Sequence, residues 1–293
     1  EHRMGDAARL EGVDLDYVPG FLQNAGEAAW PGVRGAAARL LLERTALRIE
    51  GIEAGVAGAP GLRLTEGRVD IGNLTWKTRV DVAARVQGPA SEALGFVQAS
   101  PLNDLLEGAL ARARIGGSAS TTLRLQLPLA DLSASHVAGT LRLDGNDLRI
   151  APDAPLLANT RAALTFTERG FAFNGARAQL YGGELVFDGS LRPGPQGEPQ
   201  LLLRGQGTAS AAALRDTGPA FAARAFQRAS GSTAYSAQLG FRAGVPELLV
   251  TSNLQGLALD LPAPLGKPAE APLPLRVETS VPVVEGGAAQ TDR

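Results

Sequence analysis

Apolar and polar residues alternate with period two along most of this chain, and that pattern commits the backbone to β-strands. The clearest runs are Thr121–Leu127, Gly139–Asp144, Asp147–Ile150, Ala162–Thr167, Gly170–Asn174 and Glu184–Gly189. Leu201–Arg204, Ala234–Arg242, Glu247–Ser252 and Leu273–Glu278 follow. In Thr121–Leu127 (TTLRLQL), Leu123, Leu125 and Leu127 share one face while Arg124 and Gln126 share the other. A sheet with one apolar and one wet face suits antiparallel hairpins.

The punctuation agrees. The 293 residues include 36 glycines and 19 prolines, which favour many turns over long helices. Only 5% of the chain is aromatic against 44% hydrophobic, so Leu, Val and Ala must do most of the packing. Asp144-Gly145-Asn146-Asp147 reads as a tight hairpin between two short strands, and Glu168-Arg169-Gly170 as another. Gly182-Gly183 reads as a bulge or turn, and Pro193–Gly197 as a loop. Helical spacing is confined to Ser91–Leu110, broken at Ser100-Pro101, and to Ser210–Arg215 and Pro219–Arg228, with Phe221 and Phe226 as apolar contacts. These short helices are expected to cap the sheet. Ala36–Glu50 fits a helix or two strands, and strands are preferred.

A loose repeat joins LDGNDLRIAP, LYGGELVFDGSLRPG and TSNLQGLALDLPAP, each with an apolar–Gly–apolar rhythm. The expected fold is therefore mainly β: an elongated, curved antiparallel sheet forming an open groove or partial barrel, capped by a few short helices. Length alone fits one large domain or two ordinary ones. The reading taken is one continuous unit over 1–293, with frayed ends at 1–10 and 284–293. The abrupt start and trailing end read as a piece of a longer chain. No run reaches the roughly 18 apolar residues that span a bilayer, so any anchor is expected outside this sequence.

Reactive chemistry is sparse. There are no cysteines, which removes disulfides, thiolate nucleophiles and cysteine–metal sites. Of the two histidines, His2 stands near the terminus and His136 precedes a strand, too few for a usual metal set. No Gly-x-Ser-x-Gly elbow occurs, and Gly205-Gln206-Gly207 lacks the third glycine of a dinucleotide loop. Asp144–Asp147 lacks the further ligands of a calcium loop. Tyr17, Trp30, Trp76, Tyr181 and Tyr235 are too dispersed in sequence for a sugar platform or a stacking surface and read as sheet-edge packing. A net charge of −2 gives no reason to expect nucleic acid. The expectation is a chain with no enzymatic activity, metal or cofactor.

A wide sheet with one apolar face must cover it. It does so by rolling into a sandwich, or by curling around an apolar ligand. Each acyl CH₂ exposed to water costs about 0.8 kcal/mol, so the two chains of a phospholipid cost on the order of 20 kcal/mol. A trough of Leu, Val and Phe offsets most of that, and a six-residue strand spans about 20 Å, close to one extended acyl chain.

Several segments then carry a resemblance. Leu248–Leu275 contains Ser252-Asn253-Leu254-Gln255-Gly256 followed by Leu261-Pro262-Ala263-Pro264-Leu265-Gly266-Lys267, and this stretch resembles the YhdP branch of AsmA-like bacterial envelope proteins. Trp30-Pro31, Gly51-Ile52, Gly88-Pro89, Ser100-Pro101-Leu102, Leu127-Pro128-Leu129, Leu180–Gly183 and Gly231–Gly240 resemble the same family in order. Together they cover most of residues 13–277, as a middle to C-terminal slice. The resemblance implies an inner-membrane-anchored protein whose β-groove crosses the periplasm and moves phospholipids toward the outer membrane. It brings no catalytic residues. It also implies an N-terminal membrane helix and a C-terminal region that this sequence does not include.

The expected function is non-enzymatic lipid transfer, with phospholipid as partner and membranes reached through other parts of the full-length protein. The expected groove residues are Leu123, Leu125, Leu127, Leu141, Leu143, Leu164, Phe166, Phe171, Phe173, Leu185, Phe187, Leu239, Phe241, Leu248 and Val250. Register decides which alternate face lines the groove, because a one-residue slip inverts the set. The alternative is a periplasmic scaffold or assembly factor for outer-membrane proteins, offering strand edges to client strands.

Overall fold

The computed structural model describes residues 6–16, 32–74, 78–100, 110–131, 134–152, 154–194, 199–242, 245–262 and 264–280. They form a mainly β structure, one long antiparallel sheet of sixteen strands with three short helices among the described residues. The first strands are β1 (Asp6–Leu15), β2 (Val33–Glu43), β3 (Ala46–Val56), β4 (Ala59–Ile71) and β5 (Arg79–Pro89), followed by helix α1 (Ala90–Ala99). Next come β6 (Arg114–Ile115), β7 (Ser118–Pro128), β8 (His136–Arg149), β9 (Leu157–Thr167), β10 (Gly170–Leu180), β11 (Gly183–Pro193) and β12 (Pro199–Ser210). Helices α2 (Ala211–Thr217) and α3 (Ala220–Ala225) lead to β13 (Ala229–Arg242), β14 (Val245–Ser252), β15 (Leu257–Leu259) and β16 (Leu275–Ser280).

Sheet order follows chain order from β1 to β5, then β7 to β14, then β16, with β6 added to β8 and β15 to β13. The order begins at β1 and ends at β16, so the sheet is not closed. The chain divides into two compact units, residues 1–178 and 179–293. Residues 6–10, expected to fray, pair with β2 from Asp6–Leu42 to Leu10–Ala38. Residues 1–5 and 281–293, which include the expected frayed end at 284–293, lie outside the described residues.

The strands are longer than the alternation alone marks. β7 and β9 each have 11 residues and β8 has 14. Eleven residues span about 37 Å. Ser118-Ala119-Ser120 and Ala158-Asn159-Thr160 extend β7 and β9 without any hydropathy contrast to announce it. Ala36–Glu50 forms β2 and β3, as preferred. The hairpin expected at Asp144–Asp147 is not there. β8 runs straight through it with a bulge, Gly145 taking φ +80° and the register shifting between Asp144 and Asn146. The Tyr181-Gly182 pair has φ of +50° and +76°, the geometry of a type I′ hairpin turn between β10 and β11.

In the first unit, α1 packs on β4, β5, β6 and β7 at one end of the sheet. Glu92 in its first turn accepts a hydrogen bond from the Gly61 backbone N–H at 2.7 Å. Asn146, fully buried by the bulge, donates to the carbonyls of Gly116 and Ser118 and accepts from the Asp144 N–H. Such a satisfied buried amide pins β8 to the chain entering β7. Ser100 and Thr160 are buried nearby, each hydroxyl donating to a backbone carbonyl.

The second unit has its own packed end. Ser210 caps α2, its Oγ accepting the Ala213 N–H. Phe226, Leu254, Leu257 and Leu259 form a core there with Ala211 and Ala222. Lys267 donates its Nζ to the Leu257 carbonyl and pairs through its backbone with Leu259. The segment with the most specific sequence pattern, Leu261–Lys267, thus closes a hydrophobic core.

Candidate functional site

Register in the first unit lines up apolar residues across strands. Ala8, Leu40, Ile49, Val69, Val82, Leu125 and Val137 are successive Cα partners, a row crossing seven strands. A second row runs Leu42, Leu47, Ile71, Val80, Leu127. Leu123 sits between Ala84 and Gly139, Leu141 beside Leu164, and Leu143 between Ala119 and Ala162. Phe166 lies opposite Gly139. Phe171 and Phe173 share a face of β10 with their rings stacked at 6.3 Å.

The second unit repeats the arrangement. Leu203, Leu239 and Leu248 are partners across three strands, and Phe187, Gly205, Ala237, Val250 and Val277 across five. Leu185 lies opposite Gly207. Phe241 stands in register with Pro246, and its side chain falls outside the described residues. Within each unit, therefore, the register brings together the β7–β9 residues expected in the first and those of β11, β13 and β14 expected in the second.

One residue along, the rows are charged. Arg48, Asp70, Asp81, Gln126 and His136 are successive partners between the two apolar rows. Arginines pair with a carboxylate two residues on in the same strand: Arg9–Glu11 at 2.9 Å, Arg48–Glu50 at 3.7 Å, Arg79–Asp81 at 3.1 Å, and also Arg68–Asp70 and Arg276–Glu278. The Arg68 hydrogen bond, with Arg48 behind it, holds the Asp70 carboxyl below the usual carboxylate range. The Val137 N–H does the same to Glu168. Exposed pairs of this kind add little stability each. They identify the solvated face.

The apolar face is only half-buried. Of the expected residues whose side chains are described, Leu185 alone is fully buried. The described strands form a single sheet, each paired with its neighbours in the order. The partial exposure of these apolar side chains is unlike the filled core of a sandwich. The described helices pack at strand ends: α1 follows the end of β5, and α2 and α3 follow the end of β12.

Two aromatic side chains, Phe166 and Tyr235, lie over the glycines opposite them. A Cβ on Gly139 would come within 2.2 Å of the Phe166 ring, and one on Gly207 within 3.0 Å of the Tyr235 hydroxyl. Each ring fills its partner glycine's missing side-chain volume. Tyr235 is close enough to Tyr181 for the two to influence each other's ionisation, although the sequence reading had them dispersed. The Tyr235 hydroxyl is buried with no hydrogen-bond partner among the described residues, and burial, with Tyr181 beside it, pushes its pKa up to about 12. Y235F is expected to raise stability at neutral pH by about 1 kcal/mol, because an orphaned buried hydroxyl is costly. In the wild type the raised pKa favours folding below pH 10, and this contribution is lost as pH climbs from 10 toward 12. Y235F removes that alkaline loss, which urea melts at pH 7 and pH 11 measure.

Sequence reasoning missed the β1–β5 half of the face. The alternation was present in Leu47-Arg48-Ile49 and Val80-Asp81-Val82. Positive-φ residues within those strands, Gly12, Gly35, Gly51 and Glu66, accompany register shifts that reverse the parity midway. Leu201, Leu203, Leu275 and Val277 were also missed. Trp30 and Trp76 lie outside the described residues. Among the described residues no group of His, Cys, Asp and Glu is arranged to hold a metal ion. No described helix is long and apolar enough to cross a membrane.

A family model described as YhdP protein matches residues 6–282. No curated protein and no solved structure matches the chain.

Proposed function

The chain belongs to the YhdP family, and from that premise we propose that it shelters the acyl chains of glycerophospholipids on its half-buried apolar face. On this reading it is a non-enzymatic segment of a lipid path through the periplasm between inner and outer membranes. One observation carries the proposal: apolar rows that cross successive strands and stay half-buried, with a charged row one residue along. Completing the burial of a half-buried Leu, Val or Ile contributes about 1 kcal/mol. Some twenty such side chains balance the roughly 20 kcal/mol that two acyl chains cost in water.

A photocrosslinking residue at Leu125 or Phe187 is expected to yield phospholipid adducts, and one at Arg124 few or none. Equal yields at Leu125 and Arg124 overturn the proposal. Adducts with outer-membrane β-proteins in place of lipid support the scaffold reading instead.

A further inference from the structure

Many arginines of the first unit pair with a carboxylate, but Arg9 faces Arg39 across β1 and β2, and a second like-charged pair stands beside a cavity. β6 pairs with β8 so that Arg114 stands directly opposite Arg149. Two like charges across an antiparallel pair repel. Arg114 has no hydrogen-bond or ion-pair partner among the described residues. Arg149 directs Nη1 to backbone carbonyls, Pro152 at 3.4 Å and Ala154 at 3.2 Å, rather than to a carboxylate.

The two guanidinium groups line a cavity of about 530 Å³ together with Arg112. Among the described lining residues the carboxylate is Asp147, whose Oδ1 already accepts the Asn159 N–H at 3.0 Å. Arg114 and Arg149 against Asp147 give the described lining more positive than negative charge, in a chain whose net charge is −2. Another cavity of this unit, about 730 Å³, is lined by Arg34, Arg63 and Glu53, and there Arg34 is paired with Asp16 at 2.9 Å and Asp14 at 4.0 Å.

Apolar surface adjoins the charge. Leu156, also lining the cavity, is 41% exposed and Ile150 is 39% exposed. Guanidinium groups fit phosphate oxygens in a bidentate fork, and neighbouring aliphatic side chains suit the methylenes that follow a headgroup. We propose that this cavity binds the phosphate of a glycerophospholipid headgroup, with Arg114 and Arg149 as its ligands and Arg112 at its rim. The inference rests on the lipid reading above and adds to it where the charged end of the molecule is held.

The test titrates the purified chain with dihexanoyl-phosphatidylglycerol, kept below its micelle concentration, and separately with inorganic phosphate. Saturable lipid binding is expected, with inorganic phosphate at least tenfold weaker. R114E is expected to weaken lipid binding at least tenfold while its melting temperature stays level or rises, because a carboxylate opposite Arg149 replaces a repulsion with an ion pair. R114Q, which removes charge without reversing it, is expected to weaken binding in the same direction. Lipid binding unchanged in both variants overturns the site. Inorganic phosphate binding as tightly as the lipid overturns the lipid source and assigns free phosphate. Crosslinking at Leu125 in the otherwise wild-type chain separates the two proposals: lipid adducts there, with no effect of either Arg114 variant, overturn the headgroup site alone. Adducts no more frequent than at Arg124 overturn the apolar face.

Discussion

Replacing Leu125 with aspartate is expected to leave the sheet folded and to cut phospholipid capture at least tenfold. Leu125 lies between Val82 and Val137 in the seven-strand row and is half-buried without ligand. In the free protein an aspartate there keeps contact with water, so folding loses only about 1–2 kcal/mol of apolar burial. Under an acyl chain the same carboxylate loses its water and meets hydrocarbon, at several kcal/mol. The penalty therefore falls on the loaded state. Native mass spectrometry of co-purified lipid, read beside thermal melts, separates the two effects. R124D, one residue along on the solvated face, is the matched control and is expected to carry lipid as the wild type does. Equal lipid in L125D and wild type removes the apolar face from the path.

L257A is expected to act the opposite way, lowering stability by about 3–4 kcal/mol. Leu257 is fully buried among Phe226, Leu254 and Leu259. The site has little freedom to collapse around a smaller side chain. A Cβ on neighbouring Gly256 would meet the Ser232 carbonyl at 2.2 Å, and one on Gly231 the Gly256 carbonyl at 2.1 Å. Both glycines hold φ near +93°, a region that other residues reach only with strain. The cavity left behind stays largely open, which places the cost well above the lower end of the range for such truncations. Urea melts followed by circular dichroism measure it, and a loss under 1 kcal/mol contradicts this account of the packed end.

These two leucines also show how far the sequence could be read. Alternation around Leu125 announced both a strand and a face, because Arg124 and Gln126 are unmistakably polar. Leu257 sits in Leu257-Ala258-Leu259, which alternates only weakly, and its burial depends on Phe226 and Lys267 arriving from elsewhere in the chain. The Asp144–Asp147 run carried ordinary turn chemistry. A buried Asn146 with three hydrogen bonds turned that chemistry into a bulge, which no local rule foretells. The β1–β5 half of the face was hidden by positive-φ residues, three glycines and Glu66, that reverse parity within a strand. The Arg114–Arg149 encounter needs register across 35 positions and is invisible to any window along the chain.

The rings lying over Gly139 and Gly207 bear on motion. An upright phenylalanine or tyrosine would act as a peg, and a hydrocarbon tail passing it would have to lift or detour. Recumbent rings leave the surface between strands low in relief, so a tail moving across them meets shallow ripples instead of steps. Friction along the proposed path is then set by leucine and valine methyl groups, whose contacts are individually weak and readily exchanged. A G139V exchange forces the Phe166 ring off its bed and plants an obstacle on that track.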